Sequence, residues 1–294
     1  MLKNNNGLYN LQAKLNALIV TVTYNPEQSV LDNLKTNYYP HLIVDNSEIQ
    51  AKWLKEYCNE YNIDYIWLNG NLGIAKALNI GAQYAVEKEF DYIVTMDQDS
   101  ELTDQLLLDM TNYISQSQNR EQVAVFSPRH VNSGIEIQPA EEEVTNDFYS
   151  MSSGNFVNLH IWGILGGFDE KLFIDMVDVD YYVRALISNY QVLTIQRIFM
   201  THGMGTNLQN KKFFKYRFDV WNHNKVRKYY QARNFLYVYN KYYKHFPELS
   251  FFKKIILKIP ISIILFESNK FLKLYYYVRG CIDFKRGKFG KIYF

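Results

Sequence analysis

Between Ala17 and Pro128, five short, almost uninterrupted apolar runs alternate with stretches of helical periodicity. The runs are "ALIVTVTY" (Ala17 to Tyr24), "HLIVDNS" (His41 to Ser47), "IDYIWLN" (Ile63 to Asn69), "DYIVTMD" (Asp91 to Asp97) and "QVAVFSP" (Gln122 to Pro128). Helical patterns fall at 30–37, 51–61, 73–87 and 103–115. A strand that is apolar on both faces must be covered on both faces. The pattern therefore predicts an α/β fold with a mostly parallel, Rossmann-like sheet between helical layers. Parallel strands end on one rim, and open sheets of this kind bind ligands beyond that rim. Polar residues collect there: Thr23-Tyr24-Asn25 after the first run, Asp45-Asn46-Ser47 after the second, Asn69-Gly70-Asn71 after the third, and Asp97-Gln98-Asp99 after the fourth.

The pattern changes after Pro128. The segment 136–150 is acidic and poorly periodic and reads as a surface loop. "SSGNFVNL" reads as a further strand, and a Gly-rich turn leads into "LFIDMVDVDYYVRALISNYQVLTI", a turn, helix and strand. From about Tyr216 a mainly helical extension is expected. This divides the chain into 1–215, holding the sheet and its rim, and 216–294, a basic and aromatic tail. Within the tail, cations interleaved with aromatic and aliphatic side chains suit a lipid interface. They suit equally a helical subdomain with a basic outer face.

Composition narrows the function. Lys+Arg 32 against Asp+Glu 30 leaves a formal charge of +2, which gives no case for a nucleic-acid partner. Cys58 and Cys281 match no zinc or redox spacing and read as reduced thiols. The first ten residues are polar without an apolar core, and no run reaches the eighteen or so residues of a spanning helix. The expectation is a cytoplasmic protein, with peripheral contact at the inner face of the membrane. No G-x-x-x-x-G-K-[ST] occurs, and "TYNPEQ" stands where a dinucleotide fold carries G-x-G-x-x-G.

Two acids one residue apart at a strand end repel each other. Asp97 and Asp99 make sense with a divalent cation between them. Mg2+ and Mn2+ take hard oxygen ligands and bridge carboxylates to substrate phosphates. The alternative is a pair of solvated turn acids.

"ALIVTVTYNP", "IVDNS", "NGNLGIAKALNIGAQYA", "DYIVTMDQDS", "SGNFVN", "GGFDEKLFIDMVDVDYYVRA" and "HGMG" occur in that order. The series resembles the family-two glycosyltransferases with the GT-A fold, most closely the bacterial rhamnosyltransferase branch. The resemblance covers roughly residues 17–234 and leaves the last sixty uncovered. It implies that Thr23, Tyr24 and Asn25 line the donor pocket, with Asp45 on the base or ribose. It sets Asn71 and Gly73 against the nucleotide, Lys76 one helical turn on, Asp97 near ribose and metal, and Asp99 on the metal. It adds His202 as a metal or diphosphate contact. Asp178 matches the catalytic base, although Val177 stands where relatives carry a glutamate. Asp180 is left to orient substrate or cap the helix, with Arg184 placed to pair with it, and Asp175 is a third candidate acid. Tyr230, Arg233 and Asn234 match a Tyr-x-x-Arg-Asn pattern expected to meet the diphosphate of a lipid-linked acceptor. The alternative for that stretch is an amphipathic core helix.

The implied reaction is inverting, metal-dependent transfer of L-rhamnose from dTDP-L-rhamnose. The implied acceptor is a polyprenyl-diphosphate-linked glycan, as in O-antigen or capsule synthesis. A UDP-hexose such as UDP-galactose or UDP-glucose is the alternative donor. A sugar nucleotidyltransferase would need a Gly-rich basic loop that "TYNPEQS" lacks. A non-catalytic sugar-binding protein should have lost some of the four side chains Asp97, Asp99, Asp178 and His202.

Overall fold

The computed structural model describes residues 15–36, 38–132, 142–202, 209–213, 216–220 and 222–293. Among these, eight strands form one mixed sheet. The first four apolar runs become β1 (Ala17–Thr23), β2 (His41–Asp45), β3 (Asp64–Trp67) and β4 (Tyr92–Asp97). They pair in parallel in the order β3-β2-β1-β4. Their helices are α1 (Lys52–Glu60), α2 (Ile74–Glu87) and α3 (Asp104–Gln116). Where a helix was expected at 30–37, residues 28–34 form a 3-10 helix.

The fifth run, β5 (Val123–Asn132), does not join β4 directly. An antiparallel strand, β7 (Asn155–Asn158), lies between them. Beyond β5 come β8 (Gln191–His202), parallel to it, and the edge strand β6 (Val144–Asn146). β6 falls inside the segment expected to be loop; residues 136–141 of that segment lie outside the described residues. Because β7 runs backwards, the start of "SSGN" meets the rim where β4 ends. Thr95 donates to Ser152 O at 2.5 Å, and Gly154 N–H donates to Thr95 O at 2.8 Å.

Alternation along the strands divides the core. Leu18, Val20, Val22 and Ile93 face one layer, with Ala75, Leu78 and Ala82 of α2. That layer also holds residues of α4 (Leu159–Leu165), α5 (Val177–Ile187) and α6 (Lys225–Tyr242). Ala17, Ile19 and Val94 face α3 on the other side. At about 25 cal/mol per Å² of buried apolar surface, these two layers supply most of the drive to fold.

The tail departs from the expected division. β9 (Gln209–Phe213) and β10 (Tyr216–Val220) pair as an antiparallel ribbon, so the boundary at 215/216 falls between paired strands. The helices that follow are α6, α7 (Phe251–Phe266) and α8 (Lys270–Lys285). α6 is capped by Asn224, whose side chain accepts from Arg227 N–H at 2.9 Å. Phe235, Val238, Tyr242 and Phe252 share one core with Val20 and Ile93. The inner face of the tail is thus part of the core.

Candidate active site

A cleft of about 990 Å³ opens beyond the carboxyl ends of β1 and β4. Its walls include Thr23, Tyr24, Asn46, Asn71, Gly73, Asp97 and Asp99 from the first half of the chain. The opposite wall includes Ser152, Phe173, Asp175, Asp178, His223, Arg227 and Tyr230.

On the first wall, Gln98 pins Tyr24. Its Oε1 accepts from Tyr24 N–H at 2.8 Å, and its Nε2 donates to Tyr24 O at 3.3 Å. Asn46 accepts from Leu72 N–H at 2.7 Å, and Asn71 accepts from Asn46 Nδ2 at 3.2 Å and from Gly73 N–H at 3.1 Å. Thr23 Oγ1 is buried and without a hydrogen-bond partner. Asp45 stands apart from this wall. It is fully buried; its oxygens accept from Ser47, from Ala51 N–H and from the Tyr65 hydroxyl. Those bonds use the acceptors expected to grip a base, so Asp45 shapes the turn after β2. Asn25 turns the chain in the left-handed region (φ 47°), its N–H donating to Ser47 Oγ. Lys76 also misses the cleft and pairs with Glu170 at 3.1 Å.

The second wall is built on a strained turn. Asp175 and Met176 both take left-handed conformations (φ 64° and 69°), which non-glycine residues adopt at a cost of order 1–3 kcal/mol each. The turn swings Asp178 onto the cleft in the first turn of α5, where its Oδ1 accepts from Val179 N–H at 2.8 Å. Burial pushes the Asp178 carboxyl up to about 6. The Val179 N–H opposes that rise and the Asp97 carboxylate adds to it. Thus Asp97 and Asp178, eighty residues apart in sequence, repel each other across one cleft. Burial also raises Asp175 against the pull of Arg227, 3.0 Å away, and Asp175 Oδ2 is buried without a hydrogen-bond partner.

Asp180 does not face the cleft. It is fully buried and takes bonds from Arg184 at 2.8 Å, Lys241 at 3.0 Å and the Tyr242 hydroxyl at 2.7 Å. The expected pairing with Arg184 is present, but α5 turns Asp180 inward while Asp178 turns outward. Arg233 and Asn234 differ from expectation in the same way. Arg233 is 1% exposed; it donates to Gly290 O at 2.8 Å and Lys171 O at 3.1 Å. Asn234 donates to Ile174 O at 2.6 Å and Asp175 O at 3.2 Å. Both are buried and neither lines the cleft, so neither is placed to meet an acceptor diphosphate. Together they hold the strained turn from behind. Tyr230 does line the cleft. Its hydroxyl accepts from Ile292 N–H at 2.9 Å, and its ring stacks on Phe173 with centroids 5.1 Å apart. From α6 and its approach, Arg227 brings a cation to the cleft and His223 a neutral ring, whose proton affinity burial and the neighbouring cations push down to about 3. Sequence reasoning missed both; one arginine in "HNKVRKYY" carries no pattern that sets it apart. It missed Ser153 too, whose Oγ donates to Asp97 Oδ2 at 2.8 Å.

His202 ends β8, but its side chain lies outside the described residues, as do 203–208. Among the described residues no three His, Cys, Asp or Glu side chains converge as a metal cage. Asp97 and Asp99 on an open cleft do fit a cation shared with a ligand's phosphates, since Mg2+ and Mn2+ commonly use one or two carboxylates that way.

Residues 18–176, more than half of the chain, match the family described as Glycosyl transferase family 2. The chain belongs to that family. This family-two glycosyltransferase is 29% identical to the dTDP-rhamnosyl transferase RfbF of Shigella flexneri, over 94% of its own length and 97% of that protein's. Its fold is that of solved GT-A enzymes. S. aureus TarS 1–349 superposes with a TM-score of 0.55 at 15% identity, covering 93% of this chain and 73% of that one. GalNAc-T7, solved with UDP, GalNAc and Mn2+, gives 0.59 at 12% identity, covering 93% and 57%. Against a longer TarS structure the chain spans 37% of that protein.

Proposed function

We propose that this glycosyltransferase moves L-rhamnose from dTDP-L-rhamnose to a hydroxyl of a lipid-linked glycan, with inversion at the anomeric carbon. The observation that carries the mechanism is the meeting of Asp97 and Asp99 with Asp178 on one cleft. The donor reading rests on likeness to RfbF along nearly the whole chain. TarS, which shares the fold, has been solved in complex with UDP-GlcNAc, and this supports a sugar nucleotide as the donor.

The donor's nucleotide would lie along Thr23, Tyr24 and Asn71, where the orphaned Thr23 hydroxyl offers a partner. Asp97 and Asp99 would hold Mg2+ or Mn2+, which when bound offsets the charge gathering on the departing diphosphate. Asp178 takes the proton from the attacking acceptor hydroxyl. Its raised proton affinity makes it a stronger base than an ordinary carboxylate, and it is still mostly ionised above pH 6. Asp175, with one unpaired oxygen, is placed to accept a hydrogen bond from a sugar hydroxyl. Attack from the Asp178 side, opposite the diphosphate, is a single displacement and inverts the centre.

A donor panel tests this reading. dTDP-L-rhamnose, UDP-galactose, UDP-glucose and UDP-GlcNAc are incubated with the protein, with and without Mn2+, and nucleoside diphosphate release is measured. Metal-dependent release from dTDP-L-rhamnose above the others is expected. Preference for a UDP-hexose would keep the mechanism and replace the donor.

A further inference from the structure

We propose that the outer faces of α7 and α8 rest on the headgroup layer of an anionic phospholipid bilayer. On α7, Leu257, Ile261 and Ile264 repeat at four and three residues, and all are exposed. On α8, Phe271, Tyr275, Val278 and Ile282 repeat at four, three and four, with Phe271 92% and Tyr275 61% exposed. Both spacings place each set on one helix face.

Rotation cannot hide these faces, because the opposite ones are already used. Phe252 and Ile263 of α7 are buried, as are Tyr276, Tyr277 and Gly280 of α8. α8 lies so close to α6 that a Cβ on Gly280 would stand 2.3 Å from Tyr229 O. Exposed apolar side chains in periodic rows mark a surface that meets a partner.

Charge identifies the partner. From Leu249 onward the chain has two acids, Glu267 and Asp283. Both are buried: Glu267 is bridged between Lys228 at 2.7 Å and Lys273 at 2.9 Å, and Asp283 accepts from the Tyr229 hydroxyl. The outer face therefore carries cations without carboxylates: Lys253, Lys254, Lys258, Lys270, Lys285 and Arg286 are exposed. A two-fold contact with a second copy would set that surface against itself, cation to cation. An anionic bilayer is its complement, taking the apolar rows below the headgroups and the lysines among the phosphates. The helices lie on the bilayer; among the described residues none is long and apolar enough to cross it.

Co-sedimentation of the full chain with phosphatidylcholine vesicles, with and without phosphatidylglycerol, tests the proposal. Binding that needs phosphatidylglycerol and weakens with salt is expected. Lys254→Gln and Lys258→Gln should each lower the partition coefficient about fivefold. Phe271→Ser with Val278→Ser should lower it further. Both residues are solvent-exposed, so dTDP binding by calorimetry should be unchanged. Equal recovery on both vesicle types, or no effect of the four substitutions, would overturn the proposal. So would a concentration-dependent dimer in light scattering that Phe271→Ser dissolves, since the face would then belong to a second copy.

Discussion

Asp178 is held between opposing influences on its proton. Burial and the Asp97 carboxylate favour the neutral acid, while the Val179 N–H favours the anion; the balance lies at about 6. A carboxyl whose folded value exceeds its unfolded one binds its proton more tightly when folded. The stability it lends is therefore present at low pH and is lost as pH rises from about 4 to 6. Above that window the ionised group costs up to roughly 2–3 kcal/mol, less in so far as its side chain stays partly open to the cleft. Two expectations follow for one variant. Asp178→Asn should lose a hundredfold or more in kcat while keeping donor affinity, in line with general-base contributions. It should also melt higher than the parent protein at pH 7.5, with the gap closing near pH 4, as calorimetry across that range would show. A variant that melts lower at every pH would mean that the carboxylate is held for structure. For the parent protein, kcat/KM should rise with pH along a limb centred near 6, and Asp178→Asn should flatten that limb.

The element that sets this residue is α6, acting through the turn before α5. Arg233 and Asn234 fix the carbonyls of Lys171, Ile174 and Asp175, and Tyr230 holds Phe173. From the other side Phe173 O accepts from Ile74 N–H at 2.8 Å, which ties the turn to the start of α2. Gly73 is required there: its φ is +90°, and an added Cβ would stand 2.6 Å from Phe173 O. Asn234→Ala should leave Ile174 O and Asp175 O unpaired, cost about 1–3 kcal/mol, and lower kcat more than it raises the donor KM. Stopped-flow kinetics with a parallel melt would check it; a change in donor KM alone would place Asn234 on the nucleotide side. The first half of the site was legible because strand direction alone brings Thr23, Asn71, Asp97 and Asp99 to one rim. Asp178 was legible through the resemblance. The inward turn of Asp180, Arg233 and Asn234 was not, because a Tyr-x-x-Arg-Asn pattern reads the same whether its polar ends meet a ligand or a neighbouring carbonyl. The saturation of Asp45 was equally hidden, since Tyr65 and Ala51 reach it only through tertiary packing.

At the scale of the molecule, the sheet and the tail share a core. The parallel half of the sheet could be read from its apolar runs. The insertion of β7 between β4 and β5 could not, because a short run such as "NFVN" carries no sign of its direction. Nor could the β9–β10 ribbon, whose second strand opens the tail that was expected to be mainly helical. Since Phe235, Val238 and Phe252 pack with Val20 and Ile93, a chain cut after residue 215 should expose that core. It should be recovered as aggregate, or as a species that binds an apolar dye and lacks a cooperative melt. A soluble, cooperatively melting fragment would show that the sheet stands alone.

The central claim is that one cleft places a sugar nucleotide between the Asp97 and Asp99 rim and the Asp178 base. Release of dTDP from dTDP-L-rhamnose, followed with Mn2+ for the parent protein, Asp99→Asn and Asp178→Asn, tests it most directly. The account predicts turnover in the parent protein alone, with dTDP affinity weakened in Asp99→Asn and kept in Asp178→Asn. Turnover in Asp178→Asn at the parent rate, with the metal dependence unchanged in Asp99→Asn, would contradict it.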